Sequence, residues 1–334
     1  MRSNLLINYP VICYLKRYVA FLILLLASSA TSASVYNLPE DPHESLIGPP
    51  PDKPVFAVAN EEDTLLDVAR RYNIGQNEIV LVNPKVDRWL PGTEASILIP
   101  DSRILPDTPR KGLTLNLPEY RLYYFSPGQK TVTTHPISVG RQDWNTPLGQ
   151  TKVVHKRENP TWTPPESIKK EHAEKGETLP NVVPAGPDNP LGFFALRLGI
   201  PGYLIHGTNK PYGVGMRVSH GCIRMYPEDI EKLFPEVKVG MPVNIVNQPV
   251  KVGWRDKIIY IEVYPELEGE ELPYEVLHET TMELIKQAFF KHNYQQKLVV
   301  DGQALRSALE QKNGLTVAIT LPVNEKKDPV DDLF

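Results

Sequence analysis

Cysteine is nearly absent from this chain: 334 residues hold only Cys13 and Cys222. A small scaffold stapled by several disulfides is excluded. Excess positive charge is lacking too. The 36 Lys and Arg stand against 40 Asp and Glu, a formal charge of −4 with no basic block, which argues against a nucleic-acid partner. Only one long apolar run occurs, Val19–Ala27, and it falls short of the ~20 residues that span a bilayer. No integral membrane segment is therefore expected in the mature chain. Proline is what the chain has in excess, at 33 residues, about twice the usual ~5%. Proline fixes φ and removes a donor, so strands, loops and turns are favoured over long helices.

Lys16 and Arg17 precede the apolar run, and Ser28, Ser29, Ala30, Thr31, Ser32 and Ala33 follow it. A positive region, a short apolar core and a small-residue site form a secretory signal peptide over residues 1–33, cut after Ala30 or Ala33. A retained anchor helix is the alternative. Cleavage would remove Cys13 and three cations, leaving one thiol, Cys222, and a charge of −7.

Residues 34–54 carry six prolines and read as an extended tether. Residues 55–100 read as strand, two helices and strand. Val55–Ala59 starts the unit, Asp63-Thr64 signals an N-cap, and Leu65, Val68, Ala69 and Tyr72 fall at helical spacing. Asn77 is expected to cap the second helix, and Ile97–Ile99 closes the unit. Residues 109–247 read mainly as short strands: Leu113, Leu115 and Leu117 alternate with polar residues, and Tyr120–Phe125, Val132–Val139, Gly192–Leu198, Tyr203–His206 and Val243–Val246 follow. This pattern predicts a β-sandwich. A long insertion at about 155–190 reads as a lid, with a short helix near Ile168–Lys175; a disordered insertion is the alternative. Residues 248–334 form an α/β appendage. It has a strand at Ile258–Val263, a helix near Tyr274–Lys291, a second helix capped by Asp301 with Gly314 at its end, and a last strand at Leu315–Thr320.

His206-Gly207-Thr208 ends one predicted strand, and fifteen residues separate His206 from Cys222, which lies in Ser219-His220-Gly221-Cys222-Ile223-Arg224. A helix begins at Pro227, with Glu228 and Asp229 in its first turn. A thiolate is a strong nucleophile, and a nearby imidazole can take the thiol proton and stabilise the resulting ion pair. Gly207 and Gly221 would keep the backbone accessible, and N–H groups around Gly221-Cys222 could hold an oxyanion. Arg224 offers a planar cationic fork for a carboxylate. On spacing alone two other readings stand: Cys222 as a buried small hydrophobe, and His206, His220 and Cys222 as zinc ligands.

The same stretch resembles the signature of L,D-transpeptidases of the YkuD (ErfK/YbiS/YcfS/YnhG) type: an upstream His-Gly-Thr, then Ser-His-Gly-Cys, an apolar residue and Arg. The resemblance extends to Leu105-Pro106-Asp107, Arg121-Leu122-Tyr123-Tyr124, Pro160-Thr161-Trp162-Thr163-Pro164, Val183 to Pro190 and Leu204 to Asn209. It weakens after about residue 264. Residues 55–100 resemble a LysM module through Asp63-Thr64, Ala69 to Tyr72, Asn83-Pro84 and Pro91-Gly92-Thr93, although Asn60 stands where glycine is frequent. A small α+β domain without a ligand is the alternative there.

The resemblance implies a periplasmic enzyme with a mainly β, YkuD-type catalytic sandwich and no cofactor or metal. Cys222 would attack the meso-diaminopimelate carbonyl of a peptidoglycan tetrapeptide stem, release D-Ala and pass the acyl group to an amine. His206 would be the base, oriented by the Gly207 carbonyl. Ser219 and His220 would shape the loop, Gly221 and Cys222 N–H would face the oxyanion, Arg224 would hold the loop or a carboxylate, and Tyr203 and Trp162 would line the cleft. The LysM-like module would bind glycan strands. The acceptor would be the C-terminal lysine of a Braun-type outer-membrane lipoprotein; 3-3 cross-linking between stems, transfer to water and a non-catalytic wall-binding protein are the alternatives.

Overall fold

The structure, a computed structural model, describes residues 34–291 and 299–321; the expected signal peptide at 1–33 lies outside the described residues. The stretch expected to be a tether is instead woven into the fold. Strand β1 (Ser34–Asn37) pairs antiparallel with Thr131–Thr134, and β2 (Leu46–Ile47) pairs antiparallel with Arg103–Ile104. Proline keeps this segment extended, but Leu46 and Ile47 are both only 1% exposed. Burying two such side chains is worth roughly 1.5–3 kcal/mol each, enough to pin an otherwise stiff chain.

Residues 55–100 form strand–helix–helix–strand as expected. β3 (Val55–Ala57) pairs antiparallel with β4 (Ile97–Ile99), and α1 (Leu65–Arg71) and α2 (Gln76–Val82) pack over them through Leu65, Val68, Ile74 and Ile79. Thr64 caps α1 in a reciprocal box: its hydroxyl accepts from the Asp67 amide at 3.3 Å, and the Asp67 carboxylate accepts from the Thr64 amide at 2.9 Å. Thr64→Ala is expected to cost about 1 kcal/mol, read as a lower denaturant midpoint at unchanged slope. Asn77 does not cap α2. The N-cap is Gly75, and a side chain there would strike the backbone of Gly215, whose Cα lies 2.9 Å from the Cβ position. Two glycines thus allow main chain to touch main chain, and the Gln76 and Asn77 amides donate to the Val214 and Gly215 carbonyls.

After β5 (Arg103–Ile104) the chain enters the main sheet, built from β6 (Gly112–Asn116), β7 (Arg121–Phe125), β8 (Thr131–Gly140), β9 (Gly149–Glu158), β10 (Phe194–Leu198), β11 (Leu204–His206), β12 (Arg217–Ser219), β13 (Ile223–Met225) and β14 (Pro242–Val246). With β1 it has ten strands. The expected sandwich is sewn shut by its two ten-residue strands. β8 pairs with β7 along its first half and with β13 along its second, and β9 pairs with β14 and then β10. The order β8-β13-β11-β10-β9-β14-β6-β7 therefore returns to β8. Leu113, Leu115, Leu122, Ile137, Val153, Leu196, Ile205, Ile223 and Val243 fill the interior. Because β9 runs to Glu158, the lid begins later than the expected residue 155. Helix α3 (Glu166–Glu174) lies within it, and α4 (Pro227–Glu236) follows β13 with Pro227 in its first turn.

The appendage has a strand unforeseen in the sequence. β15 (Val250–Arg255) pairs antiparallel with β16 (Ile258–Val263), with α5 (Tyr274–Lys291) and α6 (Gly302–Gln311) against them. Asp301 caps α6 through the Gln303 and Ala304 amides, but Lys312, not Gly314, takes the left-handed position that ends it (φ 44°). β17 (Val299–Val300), β18 (Val317–Ala318) and β19 (Thr320–Leu321) complete the chain order.

The outer faces of β6 and β7 do not meet water. Buried charges fill the junction. The Glu78 carboxylate of α2 lies 2.6 Å from Arg121 and 2.5 Å from Arg103, the latter an ion pair by distance that is not aligned as a hydrogen bond. Lys251 of β15 bridges Glu119 at 2.9 Å and Glu262 at 2.7 Å. On the other side of α2, Asn73 donates both ways to the Asp229 carboxylate of α4.

Candidate active site

Parallel pairing of β11 with β13 sets Ile205 beside Ile223 and His206 beside Arg224. Side chains alternate along strands, so Leu204, His206, Cys222 and Arg224 share one face at the ends of adjacent strands. His206 is 4% exposed, and its Nδ1 lies 2.5 Å from the Gly207 carbonyl oxygen. A carbonyl only accepts, so Nδ1 carries the proton and Nε2 keeps the lone pair of the neutral ring. Burial, reinforced by the Arg224 cation, pushes the His206 pKa down to about 3. Burial pushes the Cys222 thiol up, against an opposing hydrogen bond from the backbone of Leu204. The thiol is half-buried and donates to the Gly202 carbonyl at 3.6 Å. Both shifts work against the thiolate–imidazolium pair expected from the sequence: burial disfavours the charged form of each group, while the Arg224 cation adds to that at the imidazole and opposes it at the thiol.

The loop before the thiol is tightly braced. Gly221 has φ +95°, and an added Cβ would fall 2.8 Å from Cε1 of Tyr203. The Ser219 hydroxyl donates to the Cys222 carbonyl at 2.5 Å, and the Thr146 hydroxyl donates to the Gly221 carbonyl at 2.9 Å. Tyr203 donates to the Asn145 carbonyl at 3.2 Å. Among the described residues the amides of Gly221 and Cys222 are not taken up by turn, loop or cap hydrogen bonds, which leaves two adjacent donors at the nucleophile's own loop. Gly221→Ala is expected to tilt Tyr203 and the loop, slowing thiol acylation roughly 10²-fold while the circular dichroism spectrum stays native. A rate within twofold of wild type would contradict that account.

Gly207 has another task than access. It is buried, donates to the Phe194 carbonyl, and a Cβ there would press on Ile230 at 3.2 Å. Arg224 is half-buried beside the thiol and no carboxylate pairs with it among the described residues. His220 is engaged by the lid, its Nε2 lying 2.7 Å from Glu171 of α3. No group of three or more His, Cys, Asp and Glu side chains able to hold a metal exists among the described residues, so the zinc alternative finds no assembled ligand set. Trp162 is fixed in the lid by a two-way backbone bridge to Val183.

Residues that no site reading of the sequence singled out also brace the site and its lid. Arg217 donates to the Gly140 carbonyl and to the Asn145 side chain, and Gly140 has no room for a Cβ, which would sit on the Trp144 carbonyl. Asn189, fully buried, ties the lid to itself through the Pro160 and Pro184 carbonyls. The available signals were Gly140, a glycine closing a long strand, and Asn189, which lies in the stretch Val183 to Pro190.

Residues 110–245 match the YkuD family, the L,D-transpeptidase catalytic domain. Over 200 residues the chain is 46% identical to the probable L,D-transpeptidase YcfS of Escherichia coli K12, covering 59% of this chain and 62% of that protein. It is 38% identical to the probable L,D-transpeptidase ErfK/SrfK of the same strain over 299 residues, 89% of this chain and 94% of that protein. The chain belongs to the YkuD family of L,D-transpeptidases. Among solved structures, an L,D-transpeptidase from Mycobacterium smegmatis aligns with a TM-score of 0.33 at 19% identity, over 41% of this chain and 58% of that one. The matched segment of this L,D-transpeptidase runs from the start of the main sheet to β14 and contains both His206 and Cys222.

Proposed function

We propose that this L,D-transpeptidase acts on peptidoglycan stems by thioester acyl transfer, with Cys222 as nucleophile and His206 as base. The observation that carries the reading is the loop at Ser219–Cys222. It presents a half-buried thiol two residues before Arg224, the strand partner of His206, whose ring proton is held on Nδ1 by the Gly207 carbonyl; among the described residues the Gly221 and Cys222 amides make no turn, loop or cap hydrogen bond. The Cys222 sulfur attacks the carbonyl carbon of the third stem residue, meso-diaminopimelate. The thiol proton passes to Nε2 of His206, and the oxyanion takes the amides of Gly221 and Cys222. Collapse expels D-Ala, whose nitrogen receives the proton from His206, and leaves a thioester. An amine then repeats the sequence in reverse. With both shifts set against a preformed ion pair, proton transfer accompanies C–S bond formation rather than preceding it. Arg224, which no carboxylate among the described residues neutralises, suits a carboxylate of the stem.

The preferred acceptor is the C-terminal lysine amine of a Braun-type lipoprotein, because the order of LysM-like unit, catalytic domain and lid resembles the lipoprotein-anchoring group; a second diaminopimelate would give 3-3 cross-links. The strand–helix–helix–strand unit at 55–100 fits a glycan-binding role, with export by the 1–33 leader to the periplasm. Intact mass after incubation with a carbapenem tests the nucleophile: one adduct is expected, mapped to the peptide holding Cys222. An adduct elsewhere, or none, would overturn the assignment.

A further inference from the structure

The lid reaches the nucleophile's own loop through the carboxylate of Glu171. Glu171 of α3 accepts from His220 Nε2 at 2.7 Å, and it also binds Arg141, where β8 ends, through both guanidinium nitrogens. Lys175, one helical turn on, adds a contact at 2.9 Å. The carboxylate oxygens are thus shared by three donors from three elements, and Glu171 and His220 each expose about 20% of their side chains. The His220 ring is also fixed from its edge by Trp144, with centroids 5.3 Å apart and planes at 70°. This is a prepared contact, not a surface pair: the ring is held by a carboxylate on one side and an indole on another, two residues before Cys222.

An ionised carboxylate only accepts, so the contact requires the proton on Nε2 of His220. The hydrogen bond on one ring nitrogen sets the state of the other. Hydrogen bonds from Arg141, Lys175 and His220 hold the Glu171 carboxyl well below the usual range, so it stays ionised at neutral pH. Asp143 is the other acid acting on this cluster, through Arg141.

We propose that Glu171 is a positioning residue for the transfer reaction, fixing the ring orientation and tautomer of His220 only while the lid helix is seated. Lid and catalytic loop are then one device. A lid lifted to admit a stem releases His220, and reseating it restores the Nε2–H form before transfer. The proposal rests on Cys222 as the nucleophile, so its test is split between a readout that needs the thiol and one that does not.

Ring ¹⁵N shifts of His220, recorded in Cys222→Ser protein, should show Nε2 protonated at neutral pH. Glu171→Ala should lose that preference, Glu171→Gln should recover part of it, since its amide oxygen can still accept, and Lys175→Ala should keep it. In protein with Cys222 intact, carbapenem acylation should fall about tenfold or more in Glu171→Ala, with partial recovery in Glu171→Gln. The Glu171→Ala/His220→Asn double variant should be no slower than His220→Asn alone. A wild-type tautomer in Glu171→Ala overturns the proposal, as does an acylation rate within twofold of wild type or fully independent effects of the two substitutions. If acylation persists in Cys222→Ala, the nucleophile assignment falls, and the tautomer measurement still decides whether Glu171 holds His220.

Discussion

Cys222→Ala is expected to lower acyl transfer by at least about 10⁴-fold without changing the fold, since removing a nucleophile also idles the base and leaves only oxyanion and binding contributions. The more discriminating result lies in the pH dependence of alkylation. Burial pushes the Cys222 thiol up and the His206 imidazole down to about 3. Both shifts disfavour a preformed thiolate–imidazolium pair at neutral pH. The iodoacetamide rate should therefore climb only above the midpoint of an ordinary thiol, with no reactive plateau at lower pH. His206→Ala should leave that midpoint nearly in place while removing acyl transfer to stems. A midpoint near or below pH 7, or one displaced upward by His206→Ala, would mean that a thiolate–imidazolium pair exists after all.

Glu78→Ala should be the most damaging substitution outside the site. It would leave Arg103 and Arg121, 2% and 0% exposed, without their shared carboxylate. Stranding a buried charge costs roughly 3–5 kcal/mol, visible as a large fall in denaturant midpoint. The pair also contributes pH dependence. Burial alone would raise the Glu78 pKa, but the Arg103 and Arg121 guanidinium groups outweigh it and hold the carboxyl below its ordinary value. Its folded value thus lies below the unfolded one. The associated stability is complete above the ordinary carboxylate range and is lost as pH falls through the folded value. Acid titration of wild type should show this loss, and Glu78→Gln should flatten it. An unchanged acid profile in Glu78→Gln would show that other carboxylates govern acid unfolding.

Much of the site was legible because its chemistry is local. Ser219, Gly221, Cys222 and the helix from Pro227 lie within a short stretch, and short-range rules placed that helix where it stands. His206 was legible as a strand end followed by glycine. The bracing of that loop was not, since Arg217, Thr146, Gly140 and Glu171 reach it only through the closed sheet and the lid. The alternation at Leu113, Leu115 and Leu117 correctly pointed one face inward. It also implied that Thr114 and Asn116 face water, yet both are fully buried. Alternation reports which face is more apolar, and it cannot show that buried charges of other segments cover the second. The same blindness made residues 34–54 look like a tether. Proline content describes how stiff a chain is, whereas Leu46 and Ile47 decide where it binds.

The glycine pair at 75 and 215 has a consequence for scale. Main chain meets main chain there, with Asn73–Asp229 and Glu78–Arg121 on either side, so the strand–helix–helix–strand unit cannot swing on a linker. If that unit grips a glycan strand, the distance from the gripped sugar to the Cys222 sulfur is set by the fold. The enzyme then works as a gauge: it selects stems at one fixed offset along the strand it holds, and their spacing, more than their abundance, determines which are used.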